Sequence, residues 1–159
     1  MKGRFNTLPP KVAGVHRFLV YVGDPRAEIM LGRFASVRGL KIEMELNDIR
    51  EENQRISEYK PGNAKMGPIV LEKGLELNEG TLYDWIKKVQ ALYCESAFAY
   101  AKDLYIYVLD ETLTKVHRIL CLEKAWPYVY QWDDLDGLKS DVWREKATFM
   151  CKDILDVTP

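Results

Sequence analysis

The residues able to do chemistry are few and scattered: two histidines, three cysteines and adjacent carboxylates such as Glu51-Glu52 and Asp133-Asp134. His16 and His117 stand far apart, each in a stretch that reads as strand, with no cysteine or carboxylate at ligand spacing. A zinc site needs three or four ligands, and a general base needs a nucleophile beside it, so neither histidine predicts a site. Cys94, Cys121 and Cys151 form no Cys-x-x-Cys pair and read as reduced core thiols. Glu51-Glu52 and Asp133-Asp134 are neighbours in polar stretches, whereas acid–base catalysis needs carboxylates set across a cleft in different environments. No glycine-rich phosphate loop is present. The expectation is a protein that is not an enzyme, with no metal and no cofactor.

The aromatic residues Trp126, Tyr128, Tyr130, Trp132 and Trp143 cluster late in the chain. Base stacking on single-stranded nucleic acid is one use for such a cluster. It requires an interleaved basic groove, but the neighbours are Asp133, Asp134, Asp136 and Asp141. That sign repels phosphate, so specific nucleic-acid binding is not expected and the rings read as core or subunit-interface residues. Net charge is −1, yet residues 1–41 hold eight Lys/Arg against Asp24 and Glu28. The remainder is net acidic, a split that suits head-to-tail association.

Positioning these residues falls to elements that are mostly strands. Residues 1–14, with Gly3, Pro9, Pro10 and Gly14, read as an N-terminal arm. Val15 to Val22 is a strand with Phe18, Val20 and Val22 on one face, followed by the turn Gly23-Asp24-Pro25. Gly32 to Val37 is a second strand. Leu40 to Arg50 alternates strictly, Ile42, Met44 and Leu46 against Glu43, Glu45 and Asn47, which predicts one dry and one wet side. Residues 51–67 are polar and read as a long central loop, a kind of segment that is usually functional. Pro68 to Gly74 is a strand. Thr81 is the expected N-cap of a helix carrying Leu82, Trp85, Ile86, Val89, Leu92 and Tyr93 at helical spacing. Asp103 to Leu109 and Lys115 to Lys124 form a hairpin, which Pro127 is expected to break because proline donates no ladder bond. Tyr128 to Trp132 is a short strand, residues 133–141 an acidic loop, and Val142 to Leu155 one long closing strand.

The 159 residues fit a single domain, 15–159, after the arm. The pattern predicts a mainly β fold, a sandwich or barrel of about seven strands with one packed α-helix. The longest apolar runs are strand-sized, far below a membrane span, so no membrane anchor is expected. The first ten residues lack the apolar core of a signal peptide, which points to cytoplasmic synthesis and assembly.

A series of short motifs runs in a familiar order. Arg33-Phe34-Ala35-Ser36-Val37-Arg38-Gly39-Leu40 is followed by Glu45 through Ile49-Arg50-Glu51, then Lys60-Pro61-Gly62, Met66-Gly67 and Ile69-x-Leu71-x-Lys73-Gly74. Leu82-Tyr83-Asp84-Trp85-Ile86, Ala125-Trp126-Pro127 and Val142-x-x-Glu145 complete the series. Together they resemble the tail tube proteins of contractile phages and the inner tubes of contractile injection systems, a group that includes the haemolysin-coregulated protein of type VI secretion. The resemblance spans residues 15–155. It implies a tail-tube-like fold and a structural subunit that forms hexameric rings, stacked into the inner tube of a contractile tail or injection device. It also implies sheath, baseplate and tape-measure partners and a final place in a virion or in an extracellular or intracellular contractile particle.

Edge strands and polar extensions left open in one subunit are closed by the next in such a ring. On that logic Arg50, Glu51, Arg55, Lys60, Pro61, Gly62 and Met66 are the expected subunit-interface residues, and Glu43 and Glu45 the lumen-facing ones. Two alternatives remain open. Asn47-Asp48, the absence of a double glycine after Glu51 and the acidity of residues 133–141 depart from the family pattern and fit a tube initiator, the adaptor ring joining tube to baseplate. A small-ligand-binding barrel or enzyme, with Tyr105, Tyr107 and Trp132 at its mouth, is the reading from another class.

Overall fold

A computed structural model describes residues 17–23, 29–49, 58–75, 80–96, 99–110, 112–139 and 141–159. The expected arm 1–14, the turn residues Asp24-Pro25 and the candidates Arg50, Glu51 and Arg55 lie outside these. Ten strands and one helix are described. They are β1 (Arg17–Val22), β2 (Ile29–Arg33), β3 (Ser36–Arg38), β4 (Ile42–Ile49), β5 (Glu58–Met66), β6 (Ile69–Gly74), α1 (Thr81–Leu92), β7 (Lys102–Leu109), β8 (Val116–Trp132), β9 (Arg144–Met150) and β10 (Asp153–Asp156).

One sheet runs β2-β1-β7-β8-β9-β6-β3, with β10 also on β8, and every pairing in it is antiparallel. Its two end strands, β2 and β3, are separated in the chain only by Phe34 and Ala35. Three residue steps span at most about 11 Å, so the sheet must curl until its edges meet. The seam is tied by the Ala35 N–H donating to the Glu72 carbonyl at 2.7 Å and by the Lys73 ammonium donating to the Leu31 carbonyl at 2.8 Å. Alternate residues fill the interior: Val20, Val22, Leu31, Ile69, Leu71, Leu104, Ile106, Leu122, Ala147 and Phe149 are all buried. The mainly β fold with one packed helix is thus as expected.

Helix α1 lays Leu82, Trp85 and Val89 onto that core, one stripe at helical spacing. The Trp85 ring meets Phe149 edge-on at 5.2 Å, and its indole N–H donates to the Tyr100 carbonyl at 2.8 Å. Two details differ from expectation. Gly80, not Thr81, occupies the N-cap, with no side-chain capping bond. Tyr93 lies beyond the last helical turn and is exposed.

The longer strands differ more. Pro127 does not end a strand, because β8 runs through it for 17 residues. The pairing with β9 shifts register between Pro127 and Val129, a bulge that absorbs the missing donor. Upstream, Lys124 adopts φ 50° and its N–H donates to the Asp103 carboxylate at 2.9 Å, bending β8. The single closing strand expected over 142–155 is two strands, β9 and β10, interrupted at Cys151-Lys152 opposite that bend; both pair with β8. Gly32 to Val37 likewise divides into parts of β2 and β3.

The largest difference is at residues 51–67. Glu58–Met66 is a strand, β5, hydrogen-bonded to β4 in a two-stranded sheet of its own. Proline and glycine are tolerated there because β5 is an edge strand. Residues 51–57 of the expected loop lie outside the described residues.

Candidate self-assembly surfaces

The β4–β5 hairpin is amphipathic. Its register pairs Ile42 with Met66, Met44 with Ala64 and Leu46 with Pro61 on one face. The other face pairs Glu43 with Lys65 and Asn47 with Lys60. Glu43 lies 3.0 Å from the Lys41 ammonium, and Glu45 lies 3.2 Å from that of Lys65. These are surface pairs of small energetic weight, but they keep this face solvated. The alternation that predicts a dry side is real, and among the described residues nothing covers it: Ile42, Met44 and Leu46 are 61%, 53% and 72% exposed. An apolar stripe of this kind at the surface marks a contact site or an aggregation hazard.

The expected interface residues divide between the two faces. Pro61 and Met66 line the apolar side, Lys60 lies on the polar side, and Gly62 sits under Glu45 and Asn47, where a Cβ would approach their side chains to about 3.1 Å. Glu43 and Glu45 stand together on the polar face. The hairpin leaves the barrel at Gly39, whose φ of 86° is open to glycine, and a Cβ there would overlap the Pro68 carbonyl oxygen.

The β6–β9 wall of the barrel carries two charged clusters that sequence reading missed. On its outer side the Glu72 carboxylate accepts from Arg38 at 2.9 Å and Arg144 at 3.2 Å, with Lys146 at 4.0 Å. The hydrogen bond from Arg144, then the charges of Lys146, Arg144 and Arg38, outweigh burial and hold Glu72 below the ordinary glutamate range. On the inner side Lys73 and Glu145 pair at 3.4 Å, both buried, and the Tyr130 hydroxyl donates to Glu145. Burial, followed by that bond, pushes the Tyr130 phenol well above its usual value. Register alone brings Lys73 opposite Glu145, and no local sequence signal contains it.

The remaining chemistry-bearing residues do not converge. Among the described residues no group of three or more His, Cys, Asp or Glu could hold a metal. Cys121 and Cys151 are buried, and burial raises both thiols, Cys151 to about 11; Cys94 is exposed, contrary to the expectation of three core thiols. Tyr105 and Tyr107 alternate with buried Leu104 and Ile106 and so point to the opposite face. Trp132 lies at the far end of β8, against Tyr83 and Tyr130 at 5.8 and 5.0 Å. They do not frame one barrel mouth. A cavity between α1 and the barrel, lined by Val22, Leu31, Trp85 and Lys88, measures about 210 Å³, under the roughly 300 Å³ at which small-molecule sites begin. No described helix is long and apolar enough to cross a membrane.

Known proteins can be set beside this geometry. The chain resembles a chain of the sheath–tube complex of an extracellular contractile injection system in its extended state, at 24% identity over 93% of each chain and a TM-score of 0.77. It resembles a chain of the anti-feeding prophage tube-terminating cap at 22% identity over 97% and 96% of the two chains, TM-score 0.80. Hcp1 from Flavobacterium johnsoniae is more distant, at 12% identity over 89% and 95%, TM-score 0.52. These likenesses show the fold. No curated protein sequence matches the chain. The model of the T4-like virus tail tube protein gp19 matches residues 15–154, nearly the whole described barrel and its hairpin. The chain therefore belongs to the T4-like virus tail tube protein family, a family of structural tube proteins.

Proposed function

We propose that six copies of this subunit close into a ring and that rings stack into the inner tube of a contractile phage-like tail or injection device. The observation that carries this reading is the uncovered stripe Ile42, Met44 and Leu46, set on a hairpin that makes its own sheet apart from the barrel. A barrel that buries its core while no described residue covers this stripe has an unfinished surface, and identical copies around an axis finish it. Burying each of the three side chains contributes roughly 1–2 kcal/mol. Arg50, Glu51, Arg55, Lys60, Pro61, Gly62 and Met66 would then lie at the contact, with the ion-paired face bearing Glu43 and Glu45 turned to the lumen. The role is mechanical, and no catalytic step is assigned. Sheath, baseplate and tape-measure proteins are the partners, and assembly in the cytoplasm precedes a final place in a virion or injection particle. Electron microscopy of negatively stained, purified protein tests the reading. Rings or tubes with a central hole are expected; a monodisperse monomer at every concentration would refute it.

A further inference from the structure

We propose that the loop of residues 133–143 receives the basic segment 1–14 of a neighbouring copy. This contact rests on the self-assembly proposed above and gives it a direction. The loop joins β8 to β9 and is closed at its base, the Asp133 N–H donating to the Arg144 carbonyl at 3.0 Å and the Trp143 indole to the Asp133 carbonyl at 2.9 Å. Its residues Asp133, Asp134, Leu135, Asp136, Asp141 and Val142 frame a groove of about 510 Å³. Leu135, Leu138 and Val142 are 79%, 97% and 69% exposed, so the rim is bare hydrocarbon as well as acidic. The loop holds four aspartates against one lysine, Lys139, which lines the same groove. No ion pair among the described residues engages any of the four.

The complement lies in the same sequence. Residues 1–14 carry Lys2, Arg4 and Lys11 with no acidic residue, interleaved with Phe5, Leu8 and Val12. Opposed potentials fix which surfaces meet, and interleaved apolar residues match the bare rim. Topology puts the loop at the end of the sheet opposite Arg17, the first described residue. Arg17 pairs with Leu109, beside the turn that leads to Val116, whereas the loop follows Trp132 at the other end of β8. Between copies the two ends meet head to tail, the heterologous arrangement that propagates rings or stacks.

A cross-linking experiment tests this. Full-length protein is made with Cys94→Ser, which removes the exposed thiol. One preparation then carries Leu8→Cys and a second Leu138→Cys. Mixed, assembled and mildly oxidised, they are expected to give a disulfide-linked pair. A third preparation with both substitutions is expected to give linked multimers. A link confined to single chains, or no link while rings or tubes are visible by microscopy, would overturn the contact and leave self-assembly standing. Loss of self-assembly in the wild-type protein is a separate outcome that sinks both. As a second readout, Lys2→Glu/Arg4→Glu/Lys11→Glu raises the concentration needed for assembly roughly tenfold, and Asp134→Lys/Asp141→Lys in the same chain restores it. Equal assembly by the triple variant at low salt contradicts the proposal.

Discussion

Lys73 of β6 and Glu145 of β9 face each other across the ladder, 3.4 Å apart, with side chains 2% and 4% exposed. Each holds a second partner: Lys73 donates to the Leu31 carbonyl of edge strand β2, and Glu145 accepts from Tyr130 of β8. One buried pair thus ties four strands, including the seam where the sheet closes.

Removing one charge strands the other, so Lys73→Met should cost about 3–5 kcal/mol in urea unfolding. Lys73→Met combined with Glu145→Leu should cost less than the single change, since no charge is left buried. A single-variant loss under about 1 kcal/mol would mean the pair does not close the seam.

Acid should act through Glu72. Arg144, Lys146 and Arg38 hold its folded pKa below the ordinary value of 4.5. A carboxylate with a lowered folded pKa binds more protons when unfolded, so its stabilisation is complete above about pH 4.5 and is lost as pH falls through the folded value. Urea midpoints measured from pH 7 to 2 should therefore show wild type ahead of Glu72→Gln at neutral pH, with the gap closing in acid. A gap independent of pH would contradict this.

Gly39 sets the angle at which the hairpin leaves the barrel. Gly39→Ala forces a Cβ into the Pro68 carbonyl at positive φ and should cost more than about 1 kcal/mol. Assembly should suffer further, because the hairpin is displaced. Gly137→Ala, with no atom within 4 Å of its Cβ, is the control and should stay within about 0.5 kcal/mol. Equal stability of the two variants would rule out the hinge role.

Much of this fold is legible in the residues, and the exceptions have physical causes. Val20 and Val22, Leu104 and Ile106, and the Leu82-Trp85-Val89 stripe report their own burial because each packs within the chain. Ile42, Met44 and Leu46 carry the same signal, yet no described residue of the subunit covers them. β5 escapes notice because Pro61, Gly62 and Asn63 read as turn chemistry, while an edge strand beside a register shift tolerates them. Pro127 misleads for the opposite reason, since a bulge lets a long strand pass through it. Of the candidate site, the apolar and ion-paired faces follow from alternation. The Glu72 and Lys73–Glu145 clusters depend on pairing residues 72 positions apart, which no window of sequence contains.

The account stands on the bare face of the β4–β5 hairpin. Sedimentation velocity on wild type beside Met44→Glu/Leu46→Glu measures it most directly, with circular dichroism confirming that both are folded. The account predicts hexamers or larger assemblies for wild type and a folded monomer for the variant, since two carboxylates cannot be buried at a closed contact. Assemblies of unchanged size in the variant would show that this face takes no part in joining the copies.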